Sequence, residues 1–202
     1  MSERDFTPTQ SLFLELKEER DGMREGYRFL DEKRLILAAE ILKELDRYET
    51  ELRAFEADYG VAAAALRDAV ARHGVEELEI YPAAAPINGT VALSPRSVLG
   101  VTVYDLSCQM DEADPPADTA LASPEAVRCR EAFRPLVSRA AHLAALAGNL
   151  ERLREDYART ARRARALEDV LLPELDDTLR AIEGALEELE REEAVRARRR
   201  GG

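Results

Sequence analysis

Hydrophobic positions along the first third of the chain recur in steps of three and four. The series runs Leu16, Arg20, Met23, Tyr27, Leu30, Arg34, Leu37, Ile41, Leu45, Tyr48, Leu52, Phe55, Tyr59. Arg20 and Arg34 sit in this stripe as polar members. Such spacing is a heptad seam, and the two consecutive four-residue steps at Leu37–Ile41–Leu45 read as a stutter. Thr7-Pro8-Thr9 supplies a helix start, no proline follows before about His73, and Gly74 is suited to cap the C-terminal end. About 65 helical residues at ~1.5 Å each predict a rod of roughly 97 Å.

From about residue 74 to 122 the pattern changes. Seven of the nine prolines fall between residues 82 and 135. Strand-like runs appear at "ELEIY" (77–81), "TVAL" (90–93) and "SVLGVTVYDL" (97–106), with Asn88-Gly89 as the predicted hairpin turn and "DEADPPADT" as an exposed acidic loop. A small β-containing knob follows from this.

Helical periodicity returns at Ser123-Pro124-Glu125, and Pro135 is expected to divide a short helix from a long one. The second seam is Leu143, Leu146, Leu150, Leu153, Tyr157, Thr160, Ala164, Leu167, Leu171, then Leu175, Leu179, Ile182, Leu186, Leu189. Its alternation of three and four fails only beside Pro173. A proline inside a helix costs roughly 3 kcal/mol, so the slip predicts a kink or local unwinding where the register already changes.

Two long amphipathic helices need partners for their stripes, which predicts a mainly α fold: an antiparallel coiled-coil hairpin with a small β-hairpin knob between its limbs. The parts are residues 1–73 as the N-terminal helix, 74–122 as the knob, and 123–202 as the C-terminal helix with a short basic tail. The alanine runs "VAAAAL" (61–66) and "AAHLAALAG" (140–148) are expected to face each other, with paired residue numbers adding to about 205 and Leu16 near Leu189.

Composition sharpens this picture. Charged residues make up 35%, aromatics 5%, and tryptophan is absent, as in long helices and coiled coils. A formal net charge of -12 disfavours nucleic acid as a partner. No apolar run follows Met1 and no stretch approaches a membrane span, so direct membrane insertion is not expected. Cys108 and Cys129 lack metal-type spacing and read as reduced thiols rather than a disulfide or metal pair. His73 and His142 read as helix-end histidines rather than ligands, and "NGT" at Asn88 as a turn rather than a glycan acceptor.

No phosphate loop, zinc-helix, nucleophile-elbow or dinucleotide motif is present, so no catalytic, cofactor-binding or metal residue is assigned. The carboxylates read as a solvated face, and the terminal "VRARRRGG" as a soluble end. Arg159, Arg162, Arg163 and Arg165 form a basic band within an acidic rod. Both intrahelical pairing with Glu155 and Glu168 and contact with a partner protein fit that band.

Arg162-Arg163, Ala166-Leu167-Glu168, Val170-Leu171-Leu172-Pro173 and Glu190-Arg191-Glu192-Glu193 together resemble the C-terminal signature of the D subunit of the V-type (archaeal and bacterial A/V-type) ATP synthases and ATPases. Arg165 replaces that family's asparagine. Pro8-Thr9, Leu16-Lys17, Gly26, Leu30 and Lys33-Arg34 are similar to its N-terminal end, and "SVLGVTVYDL" resembles its glycine-containing strand. The likeness covers about three quarters of the chain. The alanine-rich stretches and the lack of a Phe-Phe-Arg-Leu-Lys type ending depart from it.

This resemblance implies a central-stalk rotor subunit, without catalysis or cofactor of its own, that transmits torque between a membrane ring and a catalytic hexamer. Implied partners are the catalytic and regulatory A and B subunits of the head, the F subunit of the stalk, and the membrane-proximal C/d subunit. The implied place is the cytoplasmic side of the plasma membrane, within a complex moving H+ or Na+. Lys33, Arg34, Arg162, Arg163, Leu167, Pro173, Glu190 and Arg191 are the expected protein contacts. A coiled-coil chaperone of the prefoldin type is the alternative; its tips expose apolar residues, whereas "ELKEE" and "EELEREE" dominate here. A membrane-tethering hairpin would need a basic amphipathic face.

Overall fold

The computed structural model describes residues 7–78, 89–110 and 123–200. Helix α1 (Gln10–Leu78) is followed by strands β1 (Gly89–Val98) and β2 (Val101–Met110), then helix α2 (Pro124–Ala166), a π turn (Leu167–Leu171) and helix α3 (Leu172–Arg200). The fold is mainly α with one two-stranded antiparallel sheet. Two compact units divide it: residues 1–36 with 157–202, and residues 37–156.

The helix starts lie where capping chemistry puts them. The Leu12 amide donates to Thr9 Oγ1 at 3.2 Å and the Phe13 amide to the Thr9 carbonyl at 3.0 Å. At α2 the Ala126 amide donates to Ser123 Oγ at 3.2 Å, with Pro124 in the first helical position, where its missing N–H has no intrahelical partner to lose. Gly74 interrupts α1 with φ 74° and ψ 165°, a backbone state open to glycine, before a last helical stretch to Leu78. Next to this break, His73 Nε2 and Ser123 Oγ form a hydrogen bond. It ties the end of α1 to the start of α2.

In each unit α1 runs antiparallel to its partner helix. In the first, Arg20 and Arg24 meet Asp176, and the Tyr27 hydroxyl lies beside the Glu168 carboxylate. In the second, Arg139 of α2 forks onto Glu51, at 3.0 Å, and onto Asp58. The paired numbers of Arg20–Asp176, Asp58–Arg139 and His73–Ser123 add to about 196, not 205. The alanine runs therefore do not face each other; "AAHLAALAG" lies level with α1 near residues 48–56, and Leu16 opposite residues near 180. Small residues allow close approach in many registers, whereas a bidentate guanidinium fits only where two carboxylates stand one heptad apart.

The stripe of α1 departs from the sequence expectation at one step. Glu44 is fully buried and Leu45 is 38% exposed, with Leu37, Ala62 and Ala69 buried. The inward series is Leu37, Ile41, Glu44, Tyr48, Glu51, Phe55, Asp58, Ala62, Ala65, Ala69, with Glu44 to Asp58 in strict sevens. No stutter exists; carboxylates held by arginines occupy positions where the heptad pattern calls for an apolar residue.

Pro135 does not end a helix. α2 continues through it, with exposed Pro135 beside buried Leu136. The carbonyl that loses its partner there belongs to Glu131, an exposed residue, so the loss falls on the solvent side of the helix.

The sheet also differs from expectation. The turn is Leu99–Gly100, with φ 46° and 88°, and the register runs from Val98↔Val101 out to Gly89↔Met110. Positive φ at both positions is what a two-residue hairpin of the right twist requires. Leucine in that state costs on the order of 1 kcal/mol, which is why turn chemistry alone favours "NG" over "LG". Gly89 opens β1 instead, where a Cβ would stand 2.9 Å from the Gln109 carbonyl oxygen. Residues 77–78 are helical rather than strand; Asn88 and the acidic loop lie outside the described residues.

The hairpin lies back along the helices within its unit. Val101 and Val103 are buried, and Arg96 reaches Glu40 and Glu44 of α1. On the other side, buried Asn149 of α2 accepts from the Tyr104 amide and donates to the Tyr104 carbonyl, both at 2.8 Å. One side chain thus fills the outer edge of β2 as a neighbouring strand would. The Arg152 guanidinium sits 4.9 Å above the Tyr104 ring, a cation–π contact.

Candidate functional site

Pro173 is the second residue of α3, directly after the π turn. Lacking an N–H, it cannot bond back to Asp169, and its ring would crowd that carbonyl in a regular helix. The preceding Leu172 amide instead reaches back five residues to the Leu167 carbonyl. A π turn holds one residue more than an α turn. The seam needs one: Leu167 to Leu175 spans eight positions where a heptad spans seven. With the extra residue absorbed, Thr160 and Ala164 before the turn and Leu179 and Ile182 after it are all buried. Expected local unwinding takes this specific form, with Tyr27 of α1 beside Glu168 of the turn. The neighbouring Glu168 carboxylate holds the Tyr27 phenol above its ordinary pKa.

Level with the turn's N-terminal side is the basic band. Arg162, Arg163 and Arg165 are exposed and form no ion pair among the described residues, so pairing with Glu155 or Glu168 is absent for these three. The register set by Tyr27–Glu168 and Arg20–Asp176 puts Lys33 and Arg34 of α1 at the level of Arg162 and Arg163. Arg34 is half-buried and bonded to Asp31 at 2.6 Å. These four cations of the two helices thus lie at one level along the helix pair.

Leu167, the first residue of the π turn, is half-buried, and Pro173 is exposed. Glu190 and Arg191 lie exposed far along α3, with Arg191 paired to Glu187 at 3.1 Å. They belong to a solvated, self-paired surface and are not joined to the basic zone by any contact among the described residues.

Sequence reasoning missed the residues that hold the β-hairpin, Glu40, Glu44, Arg96 and Asn149, and the Arg139 fork that joins α2 to α1. One signal was available, the recurrence of acids at 44, 51 and 58 in phase with the stripe.

The two histidines serve as structural bonds: His142 Nδ1 donates to the Ser138 carbonyl at 2.8 Å, and His73 joins Ser123. Both cysteines are free thiols. Burial raises the Cys129 pKa. Among the described residues no cluster of three potential metal ligands occurs, and no helix is long and apolar enough to cross a membrane.

Known proteins share this pattern along nearly the whole chain. The D subunit of a V-type ATP synthase from Thermotoga neapolitana is 28% identical over 196 residues, covering 95% of each chain. The V-type D subunit of an Anaeromyxobacter species is 33% identical, covering 96% of this chain and 92% of its own. The A-type D subunit of Methanopyrus kandleri is 30% identical, covering 96% and 85%. The profile of the ATP synthase D subunit family matches residues 13–200, so the chain belongs to that family.

Proposed function

We propose that this chain is the central-stalk shaft of a V/A-type rotary ATP synthase or ATPase, carrying torque between an ion-driven membrane ring and a catalytic head while doing no chemistry itself. The observation that supports this best is the match to the D subunit family over residues 13–200, on a chain whose helices pair antiparallel in both units. Twisting a wound pair of helices strains both backbones and the packing between them, so such a pair suits torque better than a lone helix. Nothing in the family match favours the prefoldin-type reading, and the α3 end is charged and exposed rather than apolar.

In this reading residues 1–73 and 123–202 are the limbs of the shaft and 74–122 the partner-binding part. The free ends of the limbs enter the bore formed by the A and B subunits. The F subunit and the membrane-proximal C/d subunit bind at the opposite end. The basic zone of Lys33, Arg34, Arg162 and Arg163 meets acidic loops of the head, Leu167 and Pro173 set the shaft's bend, and Glu190 and Arg191 lie at the inserted tip. The protein would work as a peripheral subunit on the cytoplasmic side of the plasma membrane, in a complex moving H+ or Na+.

The test is deletion of residues 77–121 with a short Gly-Ser closure, expressed with the head subunits and the F subunit. Insertion into the head should survive, while capture of the F subunit and ion-coupled ATP synthesis should be lost. Full binding of the F subunit and full coupling in the deleted form would place the partner-binding end elsewhere.

A further inference from the structure

The β-hairpin is attached to the helices through its turn end. Arg96, Val101, Val103, Tyr104 and Asp105 make the contacts, while Val91 and Leu93, farther out, are exposed. At the centre of the attachment is a carboxylate sealed from water. Glu44 Oε1 lies 2.9 Å from Arg47 Nη1 and 3.3 Å from Arg96 Nη2, and Glu44 Oε2 receives no hydrogen bond among the described residues. Arg96 also lies 2.7 Å from Glu40 and 3.8 Å from Asp105, and Arg47 3.7 Å from Asp105. Three carboxylates therefore share two guanidiniums, and the most buried of the three has an oxygen with no donor.

Those contacts pull in opposite directions. Burial of Val101 and Val103, the two Asn149 bonds and the Arg96 fork hold the hairpin down. Stripping water from Glu44, with incomplete replacement, pushes it up, because a buried carboxylate is costly unless all its lone pairs are met. Lifting the hairpin would rehydrate Glu44 and Arg96 together. A two-stranded hairpin has little stability of its own in water, so its order depends on this docking.

We propose that the β-hairpin is a releasable strap: Arg96 latches it to Glu40 and Glu44, and the buried Glu44 charge keeps the docked state close in free energy to an undocked one. The Tyr104 amide is the reporter, since its acceptor is a helix side chain rather than β1.

Native-state hydrogen exchange on the full chain, alone and in its complex, tests this. In the wild type the Tyr104 amide should exchange at least tenfold faster than amides of α1 near Leu37 and of α2 near Leu153. Glu44→Gln keeps the shape, removes the sealed charge, and leaves Arg96 paired to Glu40 and Asp105. It should slow Tyr104 exchange about tenfold while leaving the Leu37 and Leu153 regions unchanged. Arg96→Gln should speed it by tenfold or more, again locally. If Tyr104 exchanges only as slowly as the helix amides, the strap never leaves separately and the proposal is wrong. If Glu44→Gln speeds Tyr104 exchange or leaves it unaltered, Glu44 is an anchor or a bystander rather than the opposing force, which equally overturns it.

Discussion

Deleting Val170 would ordinarily be a severe change, and the π turn predicts that it is mild. Removing a residue from a regular helix rotates everything beyond it by about 100° relative to what precedes. If that rotation reached α3, Leu179 and Ile182, now 5% and 4% exposed, would swing away from α1. At about 1.5–3 kcal/mol for each large aliphatic side chain, the loss would be about 3–6 kcal/mol. The turn from Leu167 to Leu171 already holds one residue in excess, so the deletion should convert it to an α turn and shorten the Leu167–Leu175 spacing to a heptad. Both side chains then stay buried. Both the full-length and the deleted chain carry Pro173→Ala for this comparison, so that no ring crowds the new α turn. Urea unfolding followed by helical circular dichroism should then show a change within about 1 kcal/mol, and a crystal structure should show unbroken four-residue hydrogen bonding through the former π turn. Deletion of exposed Glu151 is the control. It lies in a stretch with no spare residue and turns buried Leu153 outward, so it should be the costlier. A Val170 deletion as damaging as that control would refute the idea that the bulge compensates for the eight-residue spacing.

Asn149→Ala removes two hydrogen bonds to the Tyr104 backbone. At about 0.5–1.5 kcal/mol each it should cost about 1–3 kcal/mol in denaturant unfolding, and Asn149→Asp should not rescue it, because an oxygen would then face the Tyr104 carbonyl. Leu153→Ala, at a fully buried site, should cost about 2–5 kcal/mol in the same assay. Replacing Arg162 and Arg163 with Glu should leave helix content and melting nearly unchanged, since both are exposed and unpaired among the described residues, yet should weaken assembly with the catalytic head in a salt-dependent way. Cys129, its pKa raised by burial, carries less thiolate at a given pH than an ordinary cysteine. It should react slowly with a disulfide reagent near pH 8 and at the normal rate once the protein is unfolded.

The long helices were legible because their spacing repeats for dozens of residues and their caps, at Thr9 and Ser123, use side chains with one evident purpose. The slip beside Pro173 was legible as a position but not as a π turn, since a count of steps cannot tell a bend from an inserted residue. Glu44 was hidden because it breaks the apolar rule; its justification is Arg96, 52 residues away on a strand. The turn at Leu99–Gly100 was hidden by a leucine in a backbone state that leucine seldom adopts. The basic zone was visible as charge. Its sharing between two helices depended on a register that alanine runs could not fix and that the ion pairs across the helices do.

The acids at 44, 51 and 58 are marks on a ruler, one every seven residues, about 10.5 Å apart along the helix. Arg139 reads the second and third marks. Slid one heptad toward the start of α1, it would read the first and second and lose nothing; slid the other way, it would meet Asp58 and Ala65 and lose one pair. By the fork alone the helices have two equivalent settings. Arg47 and Arg96 bar the second by occupying Glu44. A strand that sits on the outside of the helix pair thus serves, while docked, as one stop on the axial position of the helices beneath it, alongside the His73–Ser123 bond.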